Sequence, residues 1–418
     1  MRILFLFLRH PEPHESKNLY ADLANEFAKN GHRVTVVSAA KENQSTVLSM
    51  EKDIEVLRVK MQQFFNVHPI LKGIATIRVP YQFKKAIKKH LSKHIFDLVV
   101  TPTPPITFVN IIAWLKQKYP LQSYLILRDI FPQNARDLGM MKNPLLFHYF
   151  RRKEKKLYHY SDYIGCMSQG NIDYVLQHNP EVNAEKLSLL YNWQKVYPLL
   201  EKNETVKAKY GLAGKYIAIF GGNIGEPQKI ENIVALANEY KDNSDIVFLI
   251  LGTGVRKKHL EQLVTRLKLN NIIIKDLLPR NDYQELVFNA DVGLISLSEK
   301  FTIPNIPSKT LSYFNARVPI LAAIDAHTDY GKMLESSGSG LWSVTGDITT
   351  YKNNFDRLYK DPVLRKKMGE NGYAYLVEHL TVEMAYKNIV HTTSTISRDR
   401  FSDEMSKEFQ NKKQENLK

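Results

Sequence analysis

"YIAIFGGNIGEPQKIENIVALANEY" (216–240) contains one full unit of the architecture. Five residues, Tyr216 to Phe220, are apolar without a break, as befits a strand buried on both faces. Two glycines then end the strand, Asn223 and Gly225 make a turn, and a helix is expected to start near Gln228. Its residues Ile230, Ile233, Val234 and Ala237 fall at i, i+3, i+4 and i+7, the spacing of an apolar stripe that packs on a sheet. A continuous apolar strand feeding an amphipathic helix is the βα unit of a parallel sheet.

The same rhythm runs outward in both directions. Strands are expected at 245–252, 271–277, 292–297 and 318–324, and "HLEQLVTRL" repeats the helical stripe with Leu260, Leu263, Val264 and Leu267. Upstream, strands are expected at 2–8, 33–39, 97–101, 123–129 and 163–168. This predicts an α/β protein of two Rossmann-like, doubly wound parallel-sheet domains facing across a cleft. Residues 1–195 form the first domain, 196–210 a polar linker and 211–380 the second domain. A helix over 381–397 packs back on the first domain, and 398–418 is a charged tail too poor in apolar residues to order.

At 418 residues the chain exceeds one hydrophobic core, which agrees with two domains. A single cysteine, Cys166, excludes an internal disulfide framework and fits a reducing, cytoplasmic setting. "MRILFLFLRHPEP" reads as a first buried strand, since its apolar run is broken by Arg9 and lacks a small-residue cleavage site. The apolar run "ITFVNIIAWL" (106–115) is about half of the ~20 residues that a membrane span needs. The net charge of +15 is uneven: residues 1–200 carry 28 Lys and Arg against 16 Asp and Glu, and residues 201–418 carry 30 against 27. A basic first half draws in anionic partners, and charge alone does not choose among them.

Three turns of the second domain carry candidate chemistry. In the first, Gly222, Asn223 and Gly225 let backbone N–H groups approach an anion, with Gln228 close by. "LILGTGVRKKHLEQL" (249–263) places Gly252 and Gly254 before Arg256, Lys257 and Lys258, three cations at a positive helix end. "IPNIPSKTLSYFNARVPILAA" (303–323) places Pro307, Ser308 and Lys309 at the mouth of a helix that buries Leu311, Tyr313 and Phe314. Each turn also has a plain reading: glycine for sterics, a solvated basic turn, a Ser308 cap and a proline near the first helical position. Together they follow the first, second and fourth strands of one sheet and converge on its carboxyl edge, where α/β proteins hold phosphates.

Other patterns fail. No glycine run continues into Gly-Lys-Ser/Thr, and "GTG" lacks the third glycine of the dinucleotide fingerprint. His90 and His94 have the spacing of a helical metal pair, but Lys88, Lys89 and Lys93 surround them, so a solvated basic face is expected. In "VPYQFKKAIKKHLSKHIF" (79–96), Phe83, Ile87, Leu91 and Ile95 make one face and Lys84, Lys85, Lys88, Lys89 and Lys93 the other. This is either an ordinary surface helix or a contact with anionic lipid headgroups, helped by the preceding "FFNVHPILKGI" (64–74).

The ordered set "GGNIGEPQ", "LGTGVRKKHL" and "IPSKTLSYFNARVPILA" resembles the retaining glycosyltransferases of family 4, which have the GT-B fold. The similarity is strongest to the bacterial capsule, O-antigen and exopolysaccharide branch that includes fucosamine transferases. "NGHRVTVVSA" (30–39), "DLVVTPTPP" (97–105) and "LRDIFPQNARDLGM" (127–140) resemble first-domain motifs of that branch. The resemblance implies transfer of a sugar from a nucleotide donor of the UDP type to a lipid-diphosphate-linked acceptor, on the inner membrane face. It implies an anionic membrane surface and no nucleic acid as partner, and no metal or other cofactor.

Carried over residue by residue, Gly222, Asn223, Gly225 and Gln228 line the donor phosphates, with Gly252, Gly254, Pro307 and Ser312 in the same donor-binding set. Arg256 approaches the diphosphate, Ser308 and Lys309 bind phosphates or donor sugar, and Asp129 faces sugar and acceptor across the cleft. Asp129, Lys309 and Arg256 are thus the catalytic candidates. Many members of the family carry a glutamate pair where this chain has Pro304 and Ser312, which shifts the load to Lys309 and Arg256. Two rivals stay open: a related nucleotide-sugar epimerase, and a non-catalytic subunit that binds anionic glycan or lipid.

Overall fold

The computed structural model describes residues 1–15, 18–42, 44–61 and 69–394, with side chains absent from the description over 62–77. The apolar-aromatic stretch 64–74 therefore falls entirely outside the described side chains, and the tail 398–418 lies outside the described residues.

The first domain holds β1 (Arg2–Leu6), β2 (Arg33–Ala39), β3 (Val47–Glu51), β4 (Ile54–Val59), β5 (Leu98–Pro102), β6 (Gln122–Leu127), β7 (Tyr163–Cys166) and β8 (Leu187–Leu189). They form one sheet in the order β3-β4-β2-β1-β5-β6-β7-β8, parallel except for the β3–β4 hairpin. The second holds β9 (Tyr216–Asn223), β10 (Ile246–Thr253), β11 (Ile272–Lys275), β12 (Val292–Ser296), β13 (Ile320–Ile324) and β14 (Gly340–Val344). Its order is β11-β10-β9-β12-β13-β14, parallel throughout.

The central strands are buried on both faces. Along β9, Ile217 and Ile219 enter one apolar cluster while Ala218 and Phe220 enter another, so alternate side chains meet helices on opposite sides of the sheet. The sequence reading did not separate β3, β4, β8 and β14, and three of these are edge strands. Residues of β3, β8 and β14 are largely half-exposed, so they lack the uninterrupted apolar run of a strand covered on both faces.

Two local expectations are corrected. The helix after the first glycine turn does not begin at Gln228. A single 3-10 turn occupies Glu226–Gln228, Lys229 takes a left-handed φ of 35°, and the α-helix runs Glu231–Glu239. Ser308 precedes the helix Lys309–Asn315 but makes no capping hydrogen bond, because its backbone is already in the α region.

A helix over 382–394 follows the second domain. Its Val382, Ala385 and Ile389 join the cluster of Ile3, Phe5 and Phe27 in the first domain. Among the described residues, no helix is long and apolar enough to cross a membrane.

Candidate functional site

β9 lies between β10 and β12, and β1 between β2 and β5, so each sheet has its topological switch at the strands that lead into the cleft. A cavity of about 410 Å³ opens there. The first domain lines it with Tyr20, Thr103, Pro104, Arg128, Asp129 and Met167, and the second with Gln228, Leu297 and residues 305–309. A neighbouring cavity of about 470 Å³ lies over the end of β9, against Gly221, Gly222, Asn223, Leu277, Leu278, Arg280, Tyr283 and Ser312. Gln228, Ser308 and Lys309 line both and mark where they meet.

Lys309 is the centre of this junction. A Cβ built on Gly222 would come within 3.4 Å of its Cε, and Gly222 has a φ of 130°. A side chain at 222 would thus be strained and would crowd the lysine. The Lys309 ammonium sits 4.6 Å from the centroid of the Phe220 ring. No carboxylate among the described residues pairs with it, and burial pulls it down to about 8, so its charge is held in a poorly solvated place.

Asp129 follows β6 and opens onto the cleft from the other domain. Desolvation by the surrounding protein raises its carboxyl above the usual range, and the neighbouring Arg128 guanidinium pulls the other way. The Arg128 amide donates to Thr103 Oγ1 at 2.9 Å, which fixes the start of this turn. The Arg128 Nη1 is buried without a hydrogen-bond partner among the described residues.

The structure therefore brings together Asp129, Gly222, Asn223, Gln228, Pro307, Ser308, Lys309 and Ser312 around two connected cavities. It does not bring Gly225, Gly252, Gly254 or Arg256 to their walls. A Cβ on Gly252 would lie 1.8 Å from the Gly222 carbonyl oxygen, and one on Gly254 would lie 2.3 Å from that of Ile224. These glycines let two turns stack and leave no room for a ligand between them. Gly225 is likewise crowded by its own turn, with the Asn223 side chain 2.7 Å from where its Cβ would be.

Arg256 is engaged within the second domain instead. It donates to Glu231 at 2.6 Å and lies 3.4 Å from Glu226, and Lys257 pairs with Asp276 at 2.5 Å. Carboxylates of the chain meet these cations, so they need no bound anion to explain them. The sequence reading missed Tyr20, Arg128, Arg280 and Tyr283. Arg128 was within reach, because it stands beside Asp129 in the same quoted motif.

His94 Nε2 lies 2.9 Å from Glu55, and no metal-holding cluster occurs among the described residues. On the basic helix Pro69–His90, Phe83 and Ile87 are buried, as is Leu91 just beyond it, whereas Ile95 is 52% exposed past the helix end and leaves the expected face. Lys85, Lys88, Lys89 and Lys93 are exposed, and Lys84 and Lys88 lie 5.2 and 5.6 Å from the Trp114 ring centroid.

Comparison with known proteins agrees with this architecture. Residues 202–375 match the model of the family described as Glycosyl transferases group 1. The chain is 24% identical over 279 residues to a Pseudomonas aeruginosa protein named "Probable glycosyltransferase WbjE", covering 64% of this chain and 67% of that one. Sucrose-phosphate synthase from Thermosynechococcus elongatus superposes with a TM-score of 0.74 at 15% identity, over 96% of this chain and all of that one. Anabaena HepE in complex with UDP superposes with a TM-score of 0.66 at 15% identity, over 94% and 100%. The fold is thus GT-B, and the second domain carries the sequence pattern of group 1 glycosyl transferases.

Proposed function

We propose that the protein transfers a sugar from a UDP-sugar to a lipid-diphosphate-linked acceptor in the assembly of a bacterial surface polysaccharide, with retention at the anomeric carbon. The observation that carries this reading is Lys309, a poorly solvated cation with no carboxylate partner among the described residues, where a cavity of the second domain meets the interdomain cleft.

The chemistry follows from that position. Breaking the bond between sugar and diphosphate builds negative charge on the leaving oxygens, and a fixed cation in a water-poor cleft stabilises it more than solvent would. In this reading the cavity over β9 takes the nucleotide, with Leu277, Leu278 and Tyr283 as its apolar wall. Lys309 and Ser308 meet the diphosphate, and Asp129 faces the sugar and the incoming hydroxyl from the first domain. The leaving phosphate itself takes the acceptor's proton, so no separate protein base is invoked. The exposed lysines of the helix Pro69–His90 and the following Lys93 hold the first domain against anionic lipid.

Support for UDP comes from HepE, whose structure was determined with UDP, and support for polysaccharide assembly from a solved neighbour, WaaG, a glycosyltransferase involved in lipopolysaccharide biosynthesis. The test is incubation of the protein with a panel of UDP-sugars and a lipid-diphosphate acceptor. A longer glycolipid is expected, and Lys309→Ala should lower its formation by about two orders of magnitude while the chain stays folded. Undiminished transfer by that variant would remove Lys309 from the mechanism.

A further inference from the structure

The loop between β12 and the helix Lys309–Asn315 belongs by sequence to the second domain, but its middle is packed into the first. Phe301 and Ile303 are each only 4% exposed, and both sit in the first-domain apolar cluster with Ile130, Leu138 and Phe150. Leu297 before them and Ile306 after them sit in the second-domain cluster with Leu311 and Phe314. The chain thus leaves one core, enters the other and returns. The return from Ile303 to Ile306 takes three residues, which span at most about 11 Å when fully extended.

Polar contacts fasten the same loop to the first domain. Thr302 donates to Asp137 Oδ2 from its amide at 2.9 Å and from its hydroxyl at 2.8 Å. Buried Asn171 donates to the Pro304 carbonyl at 2.9 Å, and buried Asn192 donates to that of Ile306 at 3.0 Å. On the second-domain side, Thr328 donates its hydroxyl to Asn305, and Asp329 accepts from the Gly170 amide at 2.8 Å. Lys309 follows Ile306 by three residues, so the loop that bears the key cation is tied to the opposite wall of the cleft.

We propose that residues 301–306 are a strap through which the first domain places Lys309, and that Phe301, Ile303, Asp137 and Asn171 are positioning residues for it. With the cleft closed, the strap is seated and Lys309 is held against Gly222 and Phe220. Opening the cleft must either withdraw Phe301 and Ile303 from the first-domain core or pull the 307–309 turn out of place. Completion of the donor site is thereby coupled to domain closure. The functional consequence rests on the transferase reading above; the mechanical coupling does not.

The experiment compares Phe301→Ala, Phe301→Leu and Asp137→Ala with the unchanged protein. Asp137→Ala removes the Thr302 anchor while leaving the apolar core intact. Three quantities are read: amide hydrogen exchange of residues 307–311 with UDP present, UDP affinity by calorimetry, and kcat and KM for transfer. Exchange at 307–311 is expected to accelerate about tenfold or more in both alanine variants, with β9 and β13 unchanged. The kcat is expected to fall about tenfold and UDP affinity with it, by less than in a variant that lacks the Lys309 charge altogether, and Phe301→Leu should recover most of both losses. Unchanged exchange at 307–311 overturns the strap, as does loss of protection throughout the second domain or failure of Phe301→Leu to restore what Phe301→Ala loses. If the unchanged protein transfers no sugar, the transferase reading fails, and the exchange comparison still decides the coupling.

Discussion

The Lys309 ammonium lies 4.6 Å from the centroid of the Phe220 ring, the last large apolar side chain of β9 before the glycine turn. An aromatic face partly offsets the charge without supplying an anion, so the lysine is kept available for one. Replacing it with methionine should weaken UDP binding about ten- to a hundredfold, the usual worth of a charge-assisted contact of ~1.5–3 kcal/mol. The same variant should melt at the same temperature as the parent or higher, because it removes a poorly solvated charge. Calorimetry with UDP and thermal unfolding without it check the two halves separately. A drop in melting temperature with UDP affinity intact would make Lys309 structural.

The pH dependence follows from the same residue. Burial holds Lys309 at about 8, below its ordinary value of 10.5. A bound diphosphate favours the charged form and pushes it back up, so binding above pH 8 must take up a proton. UDP affinity should therefore fall as pH climbs above 8, and the proton uptake should appear as a dependence of binding enthalpy on buffer ionisation. In the free protein the sign is opposite. The charged lysine works against folding below pH 8, and that penalty is relieved as pH rises from 8 towards 10.5. Lys309→Met should lose both effects, and proton uptake that persists in the variant would assign it elsewhere.

Lys309 and Arg256 show how far the sequence could be read. Both are cations at the start of a helix after a parallel strand, and by pattern alone they are alike. What separates them is tertiary: Glu231, on the neighbouring βα unit and 25 residues away in the chain, reaches Arg256, while no carboxylate among the described residues reaches Lys309. Burial on both faces makes a strand such as β9 legible, because Ile217 to Phe220 must all be apolar. An edge strand such as β3 is not under that demand. Gly252 was legible as a glycine that backbone approach requires, but not as one facing the Gly222 carbonyl instead of a ligand. The strap at Phe301 and Ile303 was invisible because its two apolar residues pack against a core that ends more than a hundred residues earlier in the chain.

From this difference Arg256→Ala should keep UDP affinity within about twofold of the parent. Its guanidinium, about a third exposed, is committed to Glu231 and Glu226, and a partly solvated pair of this kind is worth about 0–1 kcal/mol. A slightly lower melting temperature is the expected outcome. A tenfold loss of UDP affinity in titration calorimetry would return Arg256 to the donor site.

The basic helix of the first domain gives the last prediction. Lys85 and Lys89 are exposed and close no ion pair among the described residues, while Lys84 and Lys88 lie near the Trp114 ring. A lysine near an anionic lipid surface contributes about 1 kcal/mol, so reversing Lys85 and Lys89 to glutamate should weaken vesicle binding by well over tenfold. Sedimentation with phosphatidylglycerol-containing vesicles is the measurement, set against neutral phosphatidylcholine vesicles and repeated at raised salt. Loss confined to anionic vesicles, sensitive to salt and without change in UDP affinity, places the contact on this helix. Equal sedimentation of parent and variant would leave it as an ordinary solvated face, with Phe83, Ile87 and Leu91 serving only the core beneath.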